Sequence, residues 1–359
     1  MWSITGRRSR WIMTVLVATT LLGVTAVSGW HGAAGAVGAR SDRQAMRQQF
    51  RVVSGIQYIQ DGNSRHTLDV YYPAFWSYNK VLVFVHGGGL SSGDKADYAE
   101  LGKTYAGLYH YTTVLVNYEL SLPNGTAVHP DHIEDVAAAF AWVKAHIGEY
   151  YGDPGEIFLL GQSAGAYLVS LLATDIRYLQ AEGCSRSDIE GVISLSGYYD
   201  LYDYTVYPDN PLGLTEEQVQ MFRTMIFNSH RTFIKRQLDN ASPYWKASST
   251  QPQFCVMRTE NDMPGLDVDA WNFYTKVDAF AGQNPDFFVL QLSDYSEDTW
   301  AWSVLSATSA GFDDEATPEN EAELVAGHWA EVASMNPTDA LDPEHDTSIE
   351  TVVDFIESH

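Results

Sequence analysis

Cysteine is almost missing: the 359 residues hold two, Cys184 and Cys255, with no CxxC pair and no clustered histidines beside them. That excludes a thiolate zinc site and a redox dithiol. A bond between them would close a loop of about 70 residues, worth on the order of 4 kcal/mol by chain entropy. Two buried free thiols are the equal alternative. Positive charge is scarce too. Against 46 Asp and Glu stand 21 Lys and Arg, a formal net charge of −25, and the stretch from Val277 to His359 carries 19 acidic residues with no Lys or Arg. So anionic a chain excludes nucleic acid and anionic membrane surfaces as partners. Its acidity is that of a solvated surface and points to no particular substrate.

Long apolar runs are missing as well, except one. "WIMTVLVATTLLGVTAV" follows Arg7, Arg8 and Arg10 and precedes "SGWHGAAGAVGAR", whose small residues suit cleavage after Ala36 or Ala39. Residues 1–39 therefore read as an export signal, and the protein as secreted or extracytoplasmic. A retained signal anchor is the competing reading, because 17 residues sit at the short limit for crossing a bilayer. Stable membrane association is not expected once the signal is removed.

What is there is a core-forming chain, 45% apolar, with the grammar of alternating strands and helices. "RVVSGIQYI" and "HTLDVYYP" alternate around Asp61-Gly62-Asn63-Ser64 and predict an antiparallel hairpin. "KVLVFV", "TTVLV", "EIFLLG", "GVISLSG", "PQFCVMRT" and "DFFVLQL" are continuous apolar runs, as strands buried on both faces require. "HPDHIEDVAAAFAWVKAHIGEYYG" puts Ile133, Val136, Ala137, Phe140, Val143 and Ile147 at helical spacing and ends at a glycine. The fold class is α/β: a mostly parallel sheet with an N-terminal antiparallel hairpin and helices on both faces, in one domain over 50–359. Ligands belong at the carboxyl ends of such strands. Two stretches break the alternation, a helical excursion near 200–247 and an acidic insertion near 293–344, each a lid or decoration.

The chemistry centres on "GQSAG", residues 161–165, between a strand and a helical run. Gly161 and Gly165 permit a sharp turn that lifts the Ser163 hydroxyl above the sheet edge, and the helix start behind it favours negative charge. Ala164 N–H then points at an oxyanion. "HGGG" at 86–89 ends an earlier buried strand, where Gly88 and Gly89 N–H groups can face the same point.

These motifs, with "LDVYYP", "VFVHGGGLSSGDK", "HPDHIEDVAAAFAWV", "GQSAGAYLVSLLATD" and "LSGYYDL" in that order, resemble the carboxylesterases of the α/β-hydrolase superfamily that carry an HGGG oxyanion loop. "GQSAGA" is similar to the kynurenine formamidase-like and prenylcysteine methylesterase-like branch. The resemblance runs from about Tyr58 to Phe355 and implies a nucleophile, acid, base order of Ser, Asp, His. Asp262 in "CVMRTENDMPGLD" takes the acid position, with Glu260, Asp267 and Asp269 as neighbours that could replace it. For the base the resemblance implies His345, before "TSIETVVDFIES", with His328 and His359 as rivals. About 50 residues part His345 from the last strand, more than many relatives use. His86 is expected to brace the glycine loop, and Asp94, Asp135 and Asp200 to be structural, with His129 and His132 flanking a helix start. Tyr198, Tyr199 and Trp245 either line the pocket or pack the core.

The reading is a serine carboxylesterase acting on a small-molecule ester through an acyl-enzyme on Ser163, with no cofactor and no metal. A formamidase, a peptidase and an anchored methylesterase share the chemistry. A noncatalytic binding protein on the same fold is the alternative of another class.

Overall fold

The computed structural model describes residues 50–75, 78–122, 127–206, 208, 210–227, 234–259, 262, 265–280, 286–290 and 348–359. The expected export signal, the acidic insertion near 293–344, Glu260, His328 and His345 lie outside the described residues.

Eight strands form one sheet: β1 (Phe50–Gln57), β2 (Thr67–Pro73), β3 (Asn79–Val85), β4 (Thr112–Val116), β5 (Gly152–Gln162), β6 (Gly191–Leu195), β7 (Gln253–Thr259) and β8 (Asp286–Leu290). Their order is β1-β2-β4-β3-β5-β6-β7-β8. β1 and β2 pair antiparallel, as does β2 with β4, while every pairing from β4 through β3 to β8 is parallel. The expected hairpin and parallel sheet are both present, and the architecture is that of an α/β-hydrolase.

Side chains of β3 alternate between two cores. Val81, Val83 and Val85 face one, Leu82 and Phe84 the other. Both are sealed, so the strand reads as an unbroken apolar run. Helices α1 (Ala99–Gly107), α2 (Asp131–His146), α3 (Ala164–Thr174), α4 (Ile176–Ala181), α5 (Leu201–Thr205), α6 (Glu216–Phe227), α7 (Lys235–Ala241), α8 (Pro243–Lys246), α9 (Leu266–Asp278) and α10 (Ser348–Ser358) cover them. α1 and α10 bring Leu101, Tyr105, Val352, Phe355 and Ile356 to the Leu82 side; α2, α3 and α9 cover the Val83 side. Each fully buried Leu or Phe contributes about 1.5–3 kcal/mol.

Helix α2 shows how sequence sets an element. Ile133, Val136, Ala137, Phe140 and Val143 are buried on one stripe, Asp131 and Glu134 occupy the first turn, and Lys144 and His146 the last, matching the helix dipole. It stops at His146, earlier than the sequence pattern implies. One 3₁₀ turn follows, and the left-handed residue that reverses the chain is Tyr151, φ 63°, rather than the glycine after it.

No disulfide joins Cys184 and Cys255. Cys255 lies in the core on the Leu82 side and Cys184 packs against the opposite one, so the sheet itself stands between them. The excursion after residue 200 is helical, as expected, and consists of α5 to α8. Among the described residues no helix is long and apolar enough to cross a membrane.

Candidate active site

β5 ends at Gln162 and α3 begins at Ala164, so one residue makes the turn. Ser163 does it with φ 54° and ψ −118°, a conformation that costs a non-glycine residue about 1–3 kcal/mol. Its N–H donates to Leu195 O at 2.8 Å, and its carbonyl accepts from Tyr167 N at 3.0 Å. The flanking glycines are needed for closeness. A Cβ on Gly165 would lie 1.9 Å from Val85 O, and one on Gly161 would lie 2.3 Å from Gly165 O. The positive φ belongs to Ser163 itself. Ser163 keeps partial exposure, while Ala164 is buried and supplies the first amide of α3, which has no intrahelical acceptor.

The loop after β3 runs against this turn. A Cβ on Gly87 would sit 3.1 Å from Ser163 Cβ, so the backbone of "HGGG" lies beside the nucleophile candidate. Gly88 (φ 102°) adopts a backbone that side chains resist, and its carbonyl is fastened by Ser91 N, Ser92 N and Ser92 Oγ. His86 braces the loop from below. Its Nδ1 lies 2.7 Å from Gly87 O and its Nε2 3.1 Å from Arg65 Nη2. A carbonyl only accepts and a guanidinium only donates, so the ring is the neutral Nδ1–H tautomer. Burial lowers its pKa to about 4. With both nitrogens engaged, His86 is no general base.

The bracing extends outward. Tyr118 stacks on His86 with ring centroids 4.4 Å apart and donates to its carbonyl at 2.9 Å. Arg65 also donates to Gly93 O and Asp94 Oδ2, and Asn117 donates to the same carboxylate. Burial works upward on Asp94, but the Ala96 amide, Asn117 and Arg65 outweigh it and hold its pKa below the usual range. Asp94 is therefore a cap and a brace, as expected. Asp200 caps α5 and accepts from Trp245 Nε1, and Asp135 accepts from Glu119 N. His129 and His132 flank the start of α2, where burial lowers their pKa values to about 3 and about 4.

On the other side, Asp262 follows β7 and is buried, accepting a hydrogen bond from Ser196 Oγ. Ser196 follows β6 at φ 50°, and its N–H donates to Met257 O. β5, β6 and β7 are neighbours, so Ser163, Ser196 and Asp262 stand at the carboxyl ends of three successive strands. Two strand spacings, about 10 Å, leave room for one imidazole between Ser163 and Asp262. The neighbouring acids are placed differently. Asp267 is exposed in the first turn of α9, and Asp269 is buried, where its Oδ2 accepts from Tyr199 N and Asp200 N. Burial pushes the Asp269 pKa up to about 7.

The helical excursion overhangs the glycine loop. A Cβ on Gly89 would lie 2.4 Å from Met225 Cε, so the thioether of α6 rests on the oxyanion candidate. Tyr198 stacks on Tyr167 at 4.7 Å and meets Phe222 of α6 edge-on. Tyr198 and Tyr199 are core residues, and Trp245 is 46% exposed, tied to Asp200 rather than to Ser163. Arg65, Tyr118, Ser196 and Met225 were not legible as site residues; the local signs were Tyr118 inside "VNYEL" and Ser196 inside "LSGYYDL".

The BD-FAE family model matches residues 68–264. The chain belongs to the BD-FAE family. The matched span runs from β2 to the residues just after β7 and so takes in the glycine loop, Ser163 and Asp262. Among similar proteins, "Probable carboxylic ester hydrolase LipM" of Mycobacterium tuberculosis is 34% identical over 185 residues, 51% of this chain and 41% of that protein. "Isoprenylcysteine alpha-carbonyl methylesterase ICME" of Arabidopsis thaliana is 35% identical over 143 residues, 38% and 33% of the two chains. This BD-FAE chain thus spans less than half the length of these relatives. A solved structure, Esterase B from Lactobacillus Rhamnosis, covers 91% of both chains at 18% identity with a TM-score of 0.58, which supports the fold.

Proposed function

We propose that the protein is a serine carboxylic ester hydrolase that forms an acyl-enzyme on Ser163. The observation that carries the proposal is the strained Ser163 turn, set at a helix N-terminus and pressed against the backbone of Gly87. A serine held off its relaxed conformation with two sources of backbone amides beside it is built for a transient oxyanion. BD-FAE membership and the esterase names of the relatives support the same chemistry.

In this reading His345 removes the Ser163 proton as the hydroxyl attacks the ester carbonyl, and Asp262 orients the ring and stabilises the imidazolium. Gly88, Gly89 and Ala164 N–H groups receive the oxyanion. His345 then protonates the departing alkoxide, and a water activated by the same ring releases the acid. Met225 and α6 border the space beside the oxyanion loop and limit the group that fits there. Residues 1–39 direct the chain out of the cytoplasm.

The test uses p-nitrophenyl acetate, butyrate, octanoate and palmitate with wild type and Ser163→Ala, together with an organophosphonate label located by mass spectrometry. A loss of about 10⁶-fold in kcat and a label on Ser163 are expected. A folded wild-type protein that neither hydrolyses these esters nor takes the label overturns the esterase reading and favours a binding protein. Hydrolysis of formamides or peptides with a labelled Ser163 keeps the nucleophile and moves the substrate class.

A further inference from the structure

Behind the oxyanion loop, the turn between β1 and β2 meets the loop after β4 and the first turns of α2. There His66, Glu119 and Asp135 converge, with one donor atom of each within 4.8 Å of the others. His66 Nε2 lies 3.1 Å from Asp135 Oδ1 and 3.8 Å from Glu119 Oε2. Ligands on tetrahedral zinc at 2.0–2.2 Å stand about 3.3–3.6 Å apart, and the two separations bracket that spacing. His66 and Asp135 are buried and Glu119 is half-buried.

Each ligand candidate is already aimed by a second partner. Asp61 Oδ2 sits 2.7 Å from His66 Nδ1, leaving Nε2 to face the cluster. Asn63 Nδ2 donates to Glu119 Oε1, and Glu119 N–H to Asp135 Oδ2, so each carboxylate has one oxygen fastened and the other turned inward. A carboxylate behind a histidine, with the far nitrogen turned toward the other two ligand candidates, is the outer-shell pattern of zinc sites; Asn63 Nδ2 also stands 3.4 Å from that nitrogen. Charge points the same way. Three carboxylates, Asp61, Glu119 and Asp135, surround one imidazole, and among the described residues no Lys or Arg pairs with any of them. The adjacent Arg65 spends its guanidinium on His86, Gly93 and Asp94.

We propose that His66, Glu119 and Asp135 bind one divalent transition cation of the zinc class, with water completing a tetrahedral shell. Ligands at positions 66, 119 and 135 carry no metal spacing, which is why the sequence indicated no metal. Its ligands adjoin the braces of the glycine loop: Arg65 precedes His66 and Tyr118 precedes Glu119. A bound cation pins the turn that holds Arg65 to the loop that holds Tyr118.

The test titrates zinc chloride into the metal-stripped full chain by calorimetry and reads cobalt(II) d–d absorption on the same samples. Circular dichroism confirms that every variant is folded. Wild type is expected to bind one equivalent at micromolar concentration or tighter, with the intense visible band of tetrahedral cobalt. Glu119→Gln and His66→Gln abolish the band. Asp61→Asn, which touches only the outer shell, weakens binding about 10–100-fold. His146→Gln, at an exposed helix end, changes nothing. Absence of wild-type binding at millimolar zinc overturns the proposal, as does equal affinity in Glu119→Gln and Asp61→Asn. Neither readout depends on ester hydrolysis.

Discussion

On the nucleophile side of the candidate site, backbone presses on backbone. Val85 O fills the space a Gly165 side chain would need, Gly165 O does the same for Gly161, and Gly87 lies against Ser163. On the acid side, side chains hold position. Asp262 is engaged by the Ser196 hydroxyl, and the loop after β6 is tied to α9 by the Asp269 carboxylate. The first side tolerates no added atom. The second tolerates isosteric change but depends on hydrogen bonds. Mutations should therefore separate the two: loss of folding on one side, loss of rate or of pH response on the other.

After Ser163, the largest effect is expected at Asp262, the proposed acid. Asp262→Asn keeps the shape and the Ser196 contact yet removes the charge that supports an imidazolium, so kcat should fall about 10⁴-fold with the melting temperature nearly unchanged. Steady-state kinetics and calorimetric melting check it. Asp269→Asn measured beside it should retain most activity, and the reverse result would move the acid assignment to Asp269.

Gly165→Ala tests the other side. Its methyl meets the Val85 carbonyl of a central strand, which cannot yield without moving β3, so the cost should be about 3 kcal/mol and fall on stability. Urea unfolding reads it. Surviving folded protein should also lose activity, since the turn at Ser163 shifts with α3. An unchanged midpoint would mean that the elbow is looser than its contacts imply.

The same contrast explains what the sequence disclosed. Strands with both faces buried, the stripe of α2 and the two glycine motifs are local patterns, and each was readable because backbone geometry dictates residue type within a few positions. The reason for Gly161 and Gly165 was not, because it lies in the approach of α3 to β3. Nor were Arg65, Tyr118 and Asn117, whose meeting at His86 and Asp94 joins three segments, the turn before β2, the stretch after β3 and the stretch after β4. The choice between Asp262 and Asp269 turns on which carboxylate faces the strand ends and which faces the loop amides, a matter of register at one helix start. Cys184 and Cys255 were open in the sequence because pairing depends on which face of the sheet each one occupies.

Asp269 sharpens the comparison through pH. Burial raises its pKa to about 7 from the ordinary carboxylate value of 3.8, so the folded state holds a proton that the unfolded chain releases. Its contribution is fully present below the unfolded pKa and is lost as pH rises through 7. Below pH 3.8 Asp269 is neutral in both states and Asp269→Asn should match wild type, whereas at pH 5 the unfolded wild-type chain is already ionised and the variant should be the more stable by about 1–2 kcal/mol. At pH 8 wild type carries a buried charge against the two backbone amides, and the variant does not. The stability gap should therefore widen in favour of the variant by about 3 kcal/mol between pH 5 and 8, read from unfolding midpoints. The buried histidines His86, His129 and His132 act in the opposite sense, favouring the fold as pH rises from 4 to 6.5. They are common to both proteins, so their contribution cancels in the difference. A gap that stays flat would show that the two amides stabilise the Asp269 carboxylate enough to offset its burial, and that the acid side is as rigidly provided for as the elbow.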